Sequence, residues 1–175
     1  MLTTIERLQS QFPGEPIDSL KLQAAAASAA IEFYCKRSFR KQLYTERISG
    51  FSASKYINLR NYPVHSVTEI TGAWEFELLD EGRLYRAGGW PQGEHNLNVS
   101  YIGGYVLPTE ATEAEPCTLP EPLELACLLY MQILMRTPGV KSERVGNISV
   151  SYADEKESLP FPVVSLISPY VGRWV

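Results

Sequence analysis

The chain has 175 residues, a formal net charge of -4 and a sequence pI near 5.3. Hydrophobic residues make up 45% and charged residues 21%, close to globular averages, so a wholly disordered chain is excluded. The acidic balance argues against a dedicated nucleic-acid binder, and no apolar run approaches the roughly 20 residues a membrane helix needs.

The N-terminal stretch MLTTIERLQSQ lacks the basic-then-apolar pattern of a signal peptide, which implies synthesis in the cytosol. Thr3 followed three residues later by Glu6 predicts a capping box opening a short helix over about 4–11, with Ile5 and Leu8 on its apolar side. The run Phe12-Pro13-Gly14-Glu15-Pro16 breaks it. A second helix is predicted over about 18–36. Its stripe of Leu20, Ala24, Ala27, Ile31 and Tyr34 steps by four and three, as one helical face requires. The alanines from Ala24 to Ala30 leave little bulk, which permits close approach of another helix.

After Arg40 the period changes to two. Leu43–Ile48, Lys55–Leu59, Val64–Thr71, Trp74–Leu79, Leu84-Tyr85 and Leu97–Ile102 read as six short strands, an antiparallel β insertion over about 42–102. Residues 108–120 are acidic and carry prolines, as a surface loop does. A third helix is predicted over about 121–136, with Pro122 in its first turn and Leu123, Ala126, Cys127, Tyr130, Ile133 and Leu134 on its apolar face. Thr137-Pro138-Gly139 stops it. Ile148–Tyr152 alternates and reads as an exposed strand with few local partners. A short amphipathic helix over about 163–171 closes the chain. The predicted fold is therefore α+β: three main helices plus a short C-terminal one, with the antiparallel sheet inserted between the second and third helices, in a single domain.

Chemistry-bearing constellations are sparse. Cys35, Cys117 and Cys127 are odd in number and lack CxxC spacing, so neither a disulfide framework nor a zinc site is expected, and Cys35 and Cys127 fit helix cores as small hydrophobes. His65 and His95 have no second histidine at metal-ligand spacing. Gly88-Gly89 and Gly103-Gly104 match no phosphate-binding loop and read as turn glycines. Glu110, Glu113 and Glu115 lack the pattern of a calcium loop. Lys36, Arg37, Arg40 and Lys41 read as partners of a helix C-terminal dipole. No catalytic residue, metal or cofactor is expected, and the chain is not expected to be an enzyme.

The order of elements resembles the head–tail connector (adaptor) family of tailed phages and prophages. Three blocks carry the resemblance. The first is ASAAIEFYCKRSF, Ala27 to Phe39, similar to a helix ending in Ile-x-x-Tyr-Cys-x-Arg-x-Phe. The second runs from Tyr44-Thr45-Glu46 to Gly50, then from Ile57 through Tyr62-Pro63-Val64 to Ser66-Val67. The third comprises Val99–Tyr105, Pro108, Leu119-Pro120, Ala126-Cys127, Ser142–Gly146, Ser149–Tyr152 and Pro169-Tyr170. The resemblance implies a structural subunit of a virion neck, made and assembled in the bacterial host cytoplasm. It would form a ring, typically twelve-fold, with copies of itself below the portal protein. The ring would extend the DNA channel, pass DNA without sequence-specific binding, and present a surface to a downstream stopper or tail-completion protein. A stopper or tail-completion component is the alternative within the neck, and a ligand-binding module or enzyme the alternative outside it. No membrane is involved.

Within that frame, Leu159, Phe161, Leu166, Ile167, Tyr170 and Trp174 are expected to meet the portal, because an apolar tail needs a surface to cover it. Ala24 and Ala27 are expected at the subunit interface through close helix packing. Ile148, Val150 and Tyr152 are expected there through strand addition.

Overall fold

In the computed structural model, which describes residues 1–72, 75–79, 82–135, 142–145, 148–151 and 159–172, the first helix, α1, spans Ile5–Gln11. Its N-cap is Thr4, whose Oγ1 accepts from the Arg7 amide at 3.3 Å. The capping box expected at Thr3 does not form. Thr3 is fully buried and donates instead to Glu124 Oε1 at 3.0 Å, a tertiary bond that the local pattern could not show.

Helix α2 spans Ile17–Cys35 and buries Leu20, Ala24, Ala27, Ser28, Ile31 and Cys35 on one face. It ends where Lys36 takes a left-handed conformation, φ 55°. Helix α3, Glu121–Leu134, follows Pro120 and carries Pro122 in its first turn, where the missing N–H is no loss. It buries Leu123, Ala126, Cys127, Leu128 and Met131, while Leu134 stays exposed. Helix α4 spans Phe161–Ile167 and tightens into a 3₁₀ turn at Ser168–Tyr170. Pro169 accounts for the change, since its ring prevents continuation of the α ladder. The short C-terminal helix therefore starts two residues before the expected position.

These helices belong to one compact unit, Met1–Cys35 together with the described part of Leu119–Val171. Its interior is partly polar. Ser28 Oγ accepts from the Leu2 amide at 3.0 Å, donates to Ala24 O at 2.6 Å and lies 3.6 Å from Cys127 Sγ. Glu124, buried by its helix, takes an ion pair from Arg7 as well as the Thr3 bond. The same unit holds an antiparallel hairpin of β7, Ser142–Val145, and β8, Ile148–Ser151, with Val145 opposite Ile148 and Ser142 opposite Ser151. The expectation of a strand with few local partners is thus corrected, because β8 has β7 beside it; Tyr152 lies outside the described residues. Among the described residues the hairpin has no third strand, so each of its edges is open.

The second unit, Lys36–Thr118, holds six strands among its described residues, where six were expected. They are β1 (Gln42–Gly50), β2 (Tyr56–Asn58), β3 (Val64–Ile70), β4 (Glu77–Leu79), β5 (Arg83–Tyr85) and β6 (Gly93–Gly103). They make two three-stranded antiparallel sheets, not one: β1-β6-β3 and β2-β5-β4. In the larger sheet Tyr44 faces Tyr101 and Thr45 faces Ser100, with β6 central. In the smaller, Ile57 faces Leu84. Inward side chains of both sheets form one core of Ile57, Leu59, Ile70, Leu84, Trp90, Leu97, Val99 and Tyr101. Trp90 keeps its indole N–H satisfied by donating to Lys55 O at 3.2 Å. The strand expected from Trp74 begins at Glu77, and Trp74 itself lies outside the described residues.

Candidate assembly surfaces

Among the described residues no three His, Cys, Asp or Glu side chains gather as a metal site. His65 Nε2 donates to Gly104 O at 2.9 Å, and His95 lies near the start of β6 with a left-handed φ of 50°. Of the acidic loop residues, Glu110 pairs with Arg40 at 2.6 Å and Glu115 with Lys41. Two of the four basic residues expected to answer a helix dipole therefore hold the acidic loop instead. Cys35 and Cys127 are buried and Cys117 exposed. Burial pushes the Cys127 thiol up to about 11, away from thiolate reactivity at neutral pH.

The fourfold basic group yields a different feature at Arg37. This side chain is almost wholly buried, its guanidinium carbon 3.4 Å from the centroid of the Tyr62 ring, 5.1 Å from that of Phe39 and 5.9 Å from that of Tyr105. Its Nη2 donates to Tyr62 O, while Nε and Nη1 make no hydrogen bond. Three ring faces supply the negative potential that a carboxylate would otherwise provide. The dipole-partner reading of Arg37 is corrected accordingly: aromatic side chains distant in sequence, not helix carbonyls, surround it.

Next to this box lies a hydrogen-bonded hub. Tyr101 Oη accepts from the Asn61 amide at 2.9 Å and from Asn61 Nδ2 at 3.3 Å, and donates to Glu46 Oε1. Glu46 Oε1 also accepts from the Arg60 amide at 3.2 Å and Asn61 Nδ2 at 3.4 Å, and Asn61 Oδ1 accepts from the Ser38 amide at 2.8 Å. Burial raises the Glu46 carboxyl above its usual range despite the donors from Tyr101 and Arg60 that oppose the shift. Burial, followed by the neighbouring Glu46, raises the Tyr101 phenol far above its own. Gly104, at φ +96°, lies where a Cβ would collide with Arg40 O; its amide donates to Pro63 O at 2.9 Å. The Tyr62-Pro63 bond is cis. The residues that carry the sequence resemblance in three separate blocks thus converge here: Arg37 and Phe39 from the first, Glu46 and Asn61–Pro63 from the second, Tyr101, Gly104 and Tyr105 from the third. The hub has polar side chains locked on one another and offers no free nucleophile. Its chemical capacity is to hold the 59–63 segment against the sheet.

The surface is more informative about contact. The large exposed apolar side chains in the helical unit include Leu22 at 73%, Phe33 at 84% and Phe161 at 76%; in the β unit they are Leu43, Phe51 and Tyr56. Of the residues expected to meet a portal, Phe161 is exposed, Leu166 and Tyr170 are half-buried, and Leu159 and Ile167 are buried in the helical unit. Trp174 lies outside the described residues. Of those expected between subunits, Ala24 and Ala27 are fully buried on the inward face of α2, and Ile148 and Val150 lie on β8.

Sequence reasoning passed over the opposite face of α2. Leu22, Ala26, Ala29 and Phe33 also step by four, three and four, and all are exposed. They lie about half a turn around the helix from Leu20, Ala24, Ala27 and Ile31. Helix α2 is therefore apolar on two opposed faces, only one of which its own unit buries. The spacing was legible; the alanines on every face blurred the contrast.

An α+β chain with a helical unit interrupted by a β insertion defines a recognisable fold. No protein-family model matches the sequence, and no curated protein matches it. Solved structures do. A chain in the neck of the empty GTA particle, computed with C6 symmetry, superposes with TM-score 0.64 over 99% of this chain and 91% of that one, at 17% identity. A chain in the neck of the native GTA particle, computed with C12 symmetry, gives 0.62 over 98% and 89%, at 15% identity. A chain of the virion of the native gene transfer agent particle gives 0.63 over 99% and 91%, at 17% identity. The chain shares the fold of neck subunits of a phage-like particle. No helix among the described residues is long and apolar enough to cross a membrane.

Proposed function

We propose that this chain is a structural head–tail connector (adaptor) subunit of a tailed phage, prophage or related particle, located in the virion neck. The observation that carries the reading is the end-to-end fold likeness to neck subunits, which spans both the helical unit and the β insertion. The necks holding the fold neighbours were computed with C6 and C12 symmetry, which supports a ring of this chain, taken here as twelve copies. Its partners are neighbouring copies, the portal protein above and a stopper or tail-completion protein below. Phe161 and the half-buried Leu166 and Tyr170 are the portal-facing residues, with Trp174 beyond the described part; the open edges of the β7–β8 hairpin suit strand addition to a neighbour. A net charge of -4 suits a channel through which DNA slides without phosphate contacts holding it. The side chains serve contact and not catalysis.

The reading is tested by co-sedimenting the purified chain with its cognate portal protein. Saturable binding to the portal, lost on replacing Phe161 with Lys, is the expected result. Binding to an isolated tail-completion protein with none to the portal would instead make the chain a stopper component, and binding to neither would end the neck assignment.

A further inference from the structure

We propose that the outward face of α2, formed by Leu22, Ala26, Ala29 and Phe33, is the surface on which a second copy of this chain seats. The proposal rests on the ring reading above and adds the face through which the ring closes. Helix α2 already buries one apolar stripe in its own unit, so the second stripe is not needed for folding. Leu22 and Phe33 stand 73% and 84% exposed at the two ends of a run of exposed alanines about 16 Å long. Together they present on the order of 400 Å² of apolar surface, a size at which an exposed patch on a monomer marks a contact site.

Three observations select a second copy over other occupants. The middle of the stripe is alanine, which lets another backbone approach closely and suits a narrow, rigid element such as a helix or hairpin. The charges beside the stripe are of both signs, with Asp18 and Lys21 4.0 Å apart, whereas a lipid surface or a nucleic acid calls for a uniformly basic border. The fold neighbours occur in cyclic necks, where every subunit must offer one surface to the next copy. A ring of more than two subunits closes through head-to-tail contacts, so the α2 stripe meets a different patch of the neighbouring copy and not another α2 stripe. The stripe is also smaller than the roughly 800 Å² per partner of a stable pairwise interface. Pairwise association is accordingly weak in solution and gains strength when a ring closes.

The test uses the full-length chain and sedimentation equilibrium up to about 1 mM, where an association of about 4 kcal/mol is visible. The variants are Ala29→Arg and Phe33→Lys, with Leu125→Lys, at an exposed apolar position on α3, as comparator. All three positions are exposed and the new residues are good helix formers, so circular dichroism and melting temperature should match the parent. The expected result is self-association of the parent that weakens about 30-fold or more in each α2 variant, the loss of a hot spot, and changes little in the comparator. Equal association of parent and α2 variants would overturn the α2 face while leaving the ring reading standing. A parent that stays monomeric at about 1 mM would also overturn it, and portal binding would then decide the neck reading separately.

Discussion

Removing one oxygen from the hub of the β unit is the sharpest stability experiment the structure offers. In Tyr101→Phe the ring still fills its place in the core, but the buried Asn61 amide loses its acceptor at 2.9 Å and Glu46 loses a donor. An orphaned buried donor costs about 1–3 kcal/mol, and a bond to a charged group about 1.5–3 kcal/mol. With shared relaxation the expected loss is about 3 kcal/mol, or roughly 6–12 °C in melting temperature for a chain of this size. Tyr44→Phe is the matched control, since its hydroxyl donates to Arg40 O at 2.5 Å near the surface and should cost about 1 kcal/mol or less. The loss should also depend on pH. Because burial raises the folded-state pKa of Glu46, its contribution is fully present below the ordinary value of 4.5 and is lost as pH rises through the folded value. Tyr101→Phe removes a donor that favours the carboxylate, so its folded pKa rises further and the deficit grows between about pH 4 and about pH 7. Denaturant unfolding of both variants at the two pH values measures it. A Tyr101→Phe protein as stable as Tyr44→Phe, with a flat pH profile, would show that the hub does not hold the segment.

Three further expectations follow from the same geometry. Glu46→Gln keeps an acceptor for the Arg60 and Asn61 donors without burying charge, so it should be at least as stable as the parent near neutral pH and lose the titration step; marked destabilisation there would contradict the burial argument. Trp90→Ala should cost about 3–5 kcal/mol, because the side chain is 1% exposed in the core that joins both sheets, and a loss under 1 kcal/mol in urea unfolding would mean that core is loosely packed. In the native protein near pH 8 a disulfide-exchange reagent should titrate Cys117 alone, with Cys35 and Cys127 reacting only after denaturation; a second fast thiol would contradict their burial.

The parts that could be read directly from residues were those governed by local period. The inward stripe of α2, the proline in the first turn of α3, and the alternation of β1 and β6 each leave a signature within one or two turns or a few residues. Strand pairing does not. Strands such as Ile57–Leu84 partners are only three residues long, and nothing in them says which neighbour they will find or that they form a sheet separate from β1-β6-β3. Thr3 was misjudged for a related reason: its hydroxyl had a local use at the start of α1, but Glu124, far along the chain, binds it. Arg37 likewise follows a helix end, where a basic residue has an obvious local role, yet Tyr62 and Tyr105 reach it only after the chain has folded back. The contact surface was half legible. Phe161 was placed among partner-facing residues and is exposed, whereas α2 carries apolar residues on two faces and only the structure shows that Ala24 and Ala27 lie on the buried one.

The central claim is that this chain is built into the neck of a particle by contacts with its own copies and a portal. Electron cryomicroscopy of the particle that encodes it, at a resolution that traces side chains, tests this most directly. The account predicts a closed ring of this fold beneath the portal, twelve copies around the channel, with α2 of each subunit against the next. Particles whose neck contains no such ring, or an intact neck in particles made without this chain, would contradict it.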